Sequence, residues 1–524
     1  MSRMLWCLLA VAATARGATA QEPPPPGMVR LYVEPQPKKT LSVPKEKEFS
    51  LELEMCLTAN GTLAGITDKG FFLIDVQQDN KNKAKQILEG TKQVKTPVDV
   101  QPATAGESGP VTRIILGYKD AKPTAAELEK AKMKEVPGKE SKAGKFIVVE
   151  TDLVTAEKLR ALKEIPTVTN AQASRTLRLP EGAAPAPAAA PAPKPVTLAA
   201  PGVKDEFYAD GRLYGTRITA ADKVWAADKH KSPVVVAVID TGVDVSHPDL
   251  KGNLWTNPGE VAGNQIDEDK NGYADDVHGF DFANMTGTIT ANFHGTHVAG
   301  TLAAAIDGKG VVGVCPAVKV MPLTFLVGPR KRERGELYDA ILCIDYAVAK
   351  GAKVINASWG MHSATPDLFL GAAIERAHKA GVLFVAAAGN EGRDNDNDSS
   401  PFWPASFDYP NVIAVMAVDQ TGGTKFANPA WQSNYGKTKV HLAAPGHNIW
   451  STAPNGKYDV DSGTSMAAPH VSGALALMHA NPKFAGMAHT DVRKELLDRV
   501  QKGHPDLKGK CSSEGMLFLE FLLK

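Results

Sequence analysis

Three widely separated segments carry the groups that nucleophilic catalysis needs. Val-Ile-Asp240-Thr-Gly ends a β-branched run in a carboxylate. His294-Gly-Thr-His-Val-Ala-Gly puts an imidazole at the start of a small-residue helical stretch. Gly463-Thr-Ser465-Met-Ala-Ala-Pro-His puts a hydroxyl in the first turn of another helix, where the partial positive charge of the N-terminus favours a developing anion. A serine hydroxyl is a weak nucleophile alone, and needs a base to take its proton and a carboxylate to orient that base. Taken singly, Asp240 reads as a turn residue, His294 as a satisfied histidine and Ser465 as a helix cap. Together they supply nucleophile, base and orienting acid.

Groups so far apart in sequence meet only if rigid elements carry them to one edge. Residues 234–239, 382–388 and 412–418 are continuous apolar runs, the pattern of strands covered on both faces. Helical patterns intervene at 294–306, 336–350, 368–380 and 465–480. This alternation predicts an α/β fold with a mainly parallel sheet wrapped by helices, in which active residues gather at the carboxyl ends of strands.

In the order Asp, His, Ser, these motifs resemble the subtilisin-like serine proteases of peptidase family S8, and that order is the one found in subtilisin. The likeness runs over residues 207–523 and includes Val385-Ala-Ala-Ala-Gly-Asn390 and Val354-Ile-Asn-Ala-Ser-Trp-Gly360. It implies a secreted endopeptidase acting on proteins or peptides, related to bacterial and protozoan members. Asp240 would orient the base, His294 would be the base, Ser465 would attack, and Asn390 would donate to the oxyanion. His297, three residues along the same helix, would be structural. Ser358, Trp359, Gly360, Ala387 and Gly389 would bind substrate as an added strand. Met361 stands where many relatives have glycine, and the basic run 329–334 reads as a solvated loop. Two alternatives keep the fold and change the chemistry: a noncatalytic peptide-binding scaffold, and acyl transfer to an amine.

Between Asp240 and His294, Asp267-Glu-Asp269-Lys-Asn271-Gly272 sets oxygen side chains at alternate positions before a glycine, as in the first half of a helix-loop-helix calcium loop. His278 stands where that loop carries its glutamate, so Asp276 or Asp275 is expected to complete a set with Asp267, Asp269 and Asn271. By resemblance, Asp249 and Asp307 match ligands of a second calcium site. No histidine or cysteine cluster has zinc spacing, and no organic cofactor is expected.

A chain of 524 residues exceeds one hydrophobic core. Residues 1–20 read as a signal peptide, with Arg3, an apolar stretch and Ala18-Thr19-Ala20, which implies a secreted or periplasmic protein. A β-rich region is expected at 21–104, an α+β unit at 105–180, a Pro/Ala-rich linker at 181–202 and the catalytic domain at 203–524. The α+β unit has the position of the family's inhibitory propeptide, so a self-processing zymogen is expected. Its last strand, 168–177, would lie in the substrate cleft. With 59 Lys plus Arg against 58 Asp plus Glu, the chain has no field to hold nucleic acid. No stretch reaches the roughly 20 apolar residues of a membrane-spanning helix. The cysteines after residue 20 are expected as buried thiols, and the protein as a monomer.

Overall fold

The computed structural model describes residues 112–151, 154–155, 161–162, 165–173, 175–179, 200, 202–227, 231–363, 366–424 and 431–524, with the strands Met28–Val33, Thr62–Ile66, Phe72–Gln77 and Val98–Val100. The chain divides into two compact units, and passes from one to the other between Arg175 and Thr176. The expected signal peptide and, apart from Ala200 and Gly202, the expected linker lie outside the described residues.

In the N-terminal unit, Phe72–Gln77 pairs antiparallel with both Met28–Val33 and Thr62–Ile66. The α+β part is a four-stranded antiparallel sheet ordered Lys134–Ser141, Phe146–Thr151, Thr112–Tyr118, Val168–Ala173. Ile114, Ile115, Leu116, Ile147, Val148 and Val149 are fully buried in it. The helix Ala125–Lys130 starts at a capping box, in which Thr124 accepts from the Glu127 N–H and the Glu127 carboxylate accepts from the Thr124 N–H. Thr155 closes the strand Val154–Thr155, and residues 161 and 162 are helical. The strand expected at 168–177 is two strands. Val168–Ala173 stays in this sheet, whereas Thr176–Arg178 belongs to the C-terminal unit.

The C-terminal unit is built on a nine-stranded sheet ordered Phe280–Asp281, Ala317–Thr324, Lys231–Asp240, Val354–Ala357, Leu383–Ala387, Val412–Val418, Leu442–Pro445, Gly515–Met516, Gln501–Lys502. Every neighbouring pair is parallel except the last. Helices cover both faces, so residues pointing either way along a central strand are sealed from water: Val236, Ala237, Val238 and Ile239 are all at 0% exposure. After Lys231–Asp240 the chain adds strands first on one side and then on the other. Asp240 therefore ends the strand at which the winding reverses, the place where α/β sheets open a crevice. The helix Thr464–Ala480 is buried from Thr464 to Met478, because small residues such as Ala467, Ala468 and Gly473 let it lie close against its neighbours. Cys315, Cys343 and Cys511 are buried free thiols. Among the described residues, no helix is long and apolar enough to cross a membrane.

Candidate active site

Asp240, fully buried at its strand end, uses one oxygen twice: Oδ1 accepts from the Thr241 N–H at 2.7 Å and from His294 Nδ1 at 2.7 Å. A carboxylate oxygen only accepts, so Nδ1 carries the histidine proton and Nε2 is left as a base. The helix Phe293–Ala303 brings His294 here. Asn292 caps it, and its third residue, Gly295, sits so near the Gly242 carbonyl that a Cβ would lie 2.3 Å from that oxygen. Burial presses the His294 pKa down, but the charge and hydrogen bond of Asp240 outweigh it, with Asp461 and Glu333 adding, and the net shift is upward.

His297 lies behind it. Nε2 bonds the Ile449 carbonyl at 2.9 Å, Nδ1 is buried without a partner, and burial pushes the pKa down to about 4. This imidazole is a neutral part of the core.

Ser465 is the second residue of the helix Thr464–Ala480, so its N–H has no intrahelical acceptor. Pro469, inside the same helix, has no N–H to give the Ser465 carbonyl. The Ser358 hydroxyl takes that role at 2.9 Å, and the Ser465 hydroxyl donates back to the Ser358 carbonyl at 3.0 Å. Ser358 is held in turn by Asn356 Nδ2 at 3.0 Å. Asn390 comes from the loop after Leu383–Ala387. Its Oδ1 accepts from the Thr464 N–H at 2.8 Å and the Thr464 hydroxyl at 2.9 Å, which turns Nδ2 away as the remaining donor.

The expected substrate contacts separate by role. Trp359 is fully buried, donates Nε1–H to the Ile239 carbonyl at 2.8 Å and packs edge-on to Phe325 and Phe384. Its ring is core, and only its backbone is left for a substrate. Gly360 packs against the Phe402 ring and the Trp403 carbonyl, and Met361 is 7% exposed. Ala387 is the last residue of its strand and fully buried. Gly389 has φ +105°, and a Cβ there would meet Asn434 Nδ2 at 2.3 Å, so the loop holding Asn390 requires glycine.

An edge beside this site already carries a strand. Thr176–Arg178 pairs antiparallel with Arg334–Glu336, with Leu177 opposite Gly335 and fully buried. Arg334–Glu336 follows a hairpin loop closed by Val327 and Arg334, whose incoming residues Phe325 and Leu326 donate to the Asp240 carbonyl. Residues 329–332 and 334 of the basic run are exposed, as a solvated loop would be, but Glu333 is buried, and Arg330 is pinned over the Phe293 ring and paired with Asp459 at 3.1 Å.

The acidic loop assembles differently from its sequence pattern. Glu260, Asp267 and Asp269 bring carboxylate oxygens within 4.8 Å of one another. Asn271 and Asp276 turn away: Asn271 Nδ2 donates to Asp276 Oδ2, which also accepts from the Tyr346 hydroxyl at 2.6 Å, and Asn257 Nδ2 takes Asp276 Oδ1. Asp276 thus anchors the loop to the body of the unit through three hydrogen bonds. Asp249 Oδ1 accepts from the Tyr458 hydroxyl at 2.8 Å and Oδ2 from the Val311 N–H at 3.2 Å. Asp307 is exposed, and its N–H and that of Gly308 bind Asp205 Oδ1 at 3.1 Å each. Asp205, absent from the sequence reading, is fully buried with Oδ2 unpartnered. Burial raises the pKa of both Asp205 and Asp249. No signal short of the fold links Asp205 to residues a hundred positions away.

Residues 231–512 match the peptidase S8 description, the subtilase family. The chain is 38% identical over 306 residues to the major intracellular serine protease of Bacillus subtilis (strain 168), which covers 58% of this chain and 87% of that protein. It is 38% identical over 253 residues to subtilisin-like protease 2 of Plasmodium falciparum (isolate 3D7), covering 47% of this chain and only 17% of that protein. Fervidolysin from Fervidobacterium pennivorans, a keratinolytic enzyme related to subtilisin, matches in structure with a TM-score of 0.60 at 26% identity, over 79% of this chain and 61% of that one. With the match extending over more than half of its residues, the chain belongs to the subtilase family of peptidases.

Proposed function

We propose that the protein is an exported serine endopeptidase, made as a precursor restrained by its own N-terminal unit. The observation that carries this reading is the buried 2.7 Å pair of Asp240 and His294, in a unit that also presents Ser465 at a helix start held by the loop residue Asn390. In the reaction, the Ser465 hydroxyl turns from the Ser358 carbonyl, its oxygen attacks the scissile carbonyl carbon, and its proton passes to His294 Nε2. Asn390 Nδ2 and the Ser465 N–H receive the oxyanion. Asp240 stabilises the imidazolium, which protonates the leaving amine. Water, deprotonated by the same imidazole, then attacks the acyl-enzyme and returns the serine. Substrate enters as an extended strand along Arg334–Glu336 and the backbone of 358–360. The pairing of Thr176–Arg178 with that edge supports self-inhibition, and the leader-like residues 1–20 support export. The decisive experiment is labelling with an alkyl fluorophosphonate, whose phosphorus the activated serine attacks. Mass spectrometry is expected to find the adduct on Ser465, and the absence of any serine adduct on folded, processed protein would sink the reading.

The residues also fit calcium, a hard cation served by oxygen donors. Glu260, Asp267 and Asp269 would hold one ion, in competition with Lys350 for Asp269, and by resemblance Asp249 and Asp307 would hold another, joined by Asp205, whose orphaned buried oxygen lacks a counter-charge. Bound there, the ion would tie loops to the fold and supply no catalytic group. At about a hundredfold excess over Kd, one site adds about 2.7 kcal/mol by mass action, so a chelator is expected to lower the unfolding temperature by roughly 5 °C or more. Asp205→Ala, or Asp267→Ala with Asp269→Ala, should each shrink that shift. An unfolding temperature indifferent to chelator removes both sites.

A further inference from the structure

Glu333 is 2% exposed, and both of its carboxylate oxygens are sealed from solvent without a hydrogen-bond partner. No other described carboxylate has both oxygens in that state. A buried acid without a counter-charge is costly, and its own N–H and that of Lys331 approach the carboxylate without supplying a charge. Arg330, three residues earlier, is committed to Asp459, Asp461 and the Phe293 ring.

Its position shows what it faces. Glu333 closes the hairpin loop that begins beside the Asp240 carbonyl, and immediately precedes the edge strand Arg334–Glu336. Its charge acts on both His294 and Asp240. It therefore lies at the start of the strand-binding edge, near enough to His294 for its charge to act there. Burial raises its pKa, as for an acid awaiting a counter-charge.

We propose that Glu333 is a specificity-determining residue of the subsite beside His294, selecting lysine or arginine in the substrate residue that faces it. The proposal rests on the protease reading. The chain's own strand shows the complementary case. Leu177 opposes Gly335 and Arg178 opposes Arg334, so the next step of the register sets Leu179 level with Glu333. An aliphatic side chain has no donor, and the acid stays orphaned under it. A lysine or arginine there would donate charge-assisted hydrogen bonds to the waiting oxygens. The self-segment is thus a poor match to the site it covers, and a substrate with a cation at this position would displace it.

The test is a library of quenched peptides in which each of the four residues before the scissile bond is varied in turn among lysine, arginine, norleucine, glutamine and glutamate. At one position the processed wild type is expected to favour lysine or arginine over norleucine in kcat/KM by on the order of tenfold or more, the scale of a charge-assisted hydrogen bond. In Glu333→Gln, which keeps the shape and removes the charge, that ratio should fall to about twofold or less, while ratios at the other three positions hold. The wild-type profile stands by itself should the variant misfold: peptides cut with no basic preference at any position overturn the proposal, as does a preference untouched by Glu333→Gln. If the processed wild type cuts no peptide at all, the protease reading fails with it, and that result is distinct from cutting without selectivity.

Discussion

Ser465→Ala is expected to abolish peptide-bond hydrolysis, by on the order of 10⁶-fold in kcat, the scale that loss of the nucleophile produces in subtilisin itself. The change removes one oxygen from a fully folded helix start. It frees only the Ser358 carbonyl from one hydrogen bond, a loss of about 1 kcal/mol, so the variant should unfold within a few degrees of the wild type. Restraint and processing give a second readout. Because Thr176–Arg178 holds the edge strand, the bond brought to Ser465 lies beyond it, and the wild type is expected to show a new N-terminus within residues 179–204. The Ser465→Ala chain should accumulate with that segment uncut, and a separate fragment of residues 105–180 should inhibit the processed enzyme in trans. Proteolysis undiminished in folded Ser465→Ala would remove Ser465 from the mechanism.

His294→Ala and His297→Ala should fail in different ways. His294→Ala removes the base and is expected to lower kcat by several orders of magnitude in protein that folds, with some loss of stability because Asp240 is left buried without its partner. His297→Ala should keep activity in whatever protein folds, but lose roughly 1–3 kcal/mol because the Ile449 carbonyl is left buried without its donor. Their pH signatures run apart as well. His294 works as a neutral base and its pKa is raised, so kcat/KM is expected to fall on the acid side with a midpoint above the ordinary 6.5. His297 is held neutral, with its folded pKa near 4 against 6.5. Its contribution to stability is present above 6.5 and is lost as pH falls from there toward 4. Dead, fully stable His297→Ala beside active His294→Ala would reverse the two assignments.

The sheet and the candidate active residues were legible because their signals are local. A β-branched run such as 234–239 can be buried on both faces only as a central strand, and the small residues after His294 and Ser465 permit only tight packing around a helix start. Chain order then placed Asp240 at the strand where winding reverses.

What the sequence could not supply were meetings between residues whose separation no periodicity encodes. The alternate carboxylates of 267–271 resemble one coordinating loop, yet the fold recruits Glu260 and sends Asp276 to Tyr346. Asp205 reaches the Asp307 loop through the path of the chain at the start of the C-terminal unit. Trp359, expected among the backbone contacts to substrate, turns its ring inward because the Ile239 carbonyl and two aromatic rings offer it a dry partner. The strand 168–177 divides because its two pieces pair with different sheets, which no single segment can announce. Glu333 looked like one more charge in a basic loop, and only the hairpin that buries it beside His294 gives it a part in the site. Local pattern determined the elements and the catalytic groups, whereas the neighbours of each polar side chain were decided by tertiary structure, since burial and pairing are set by contacts between distant segments.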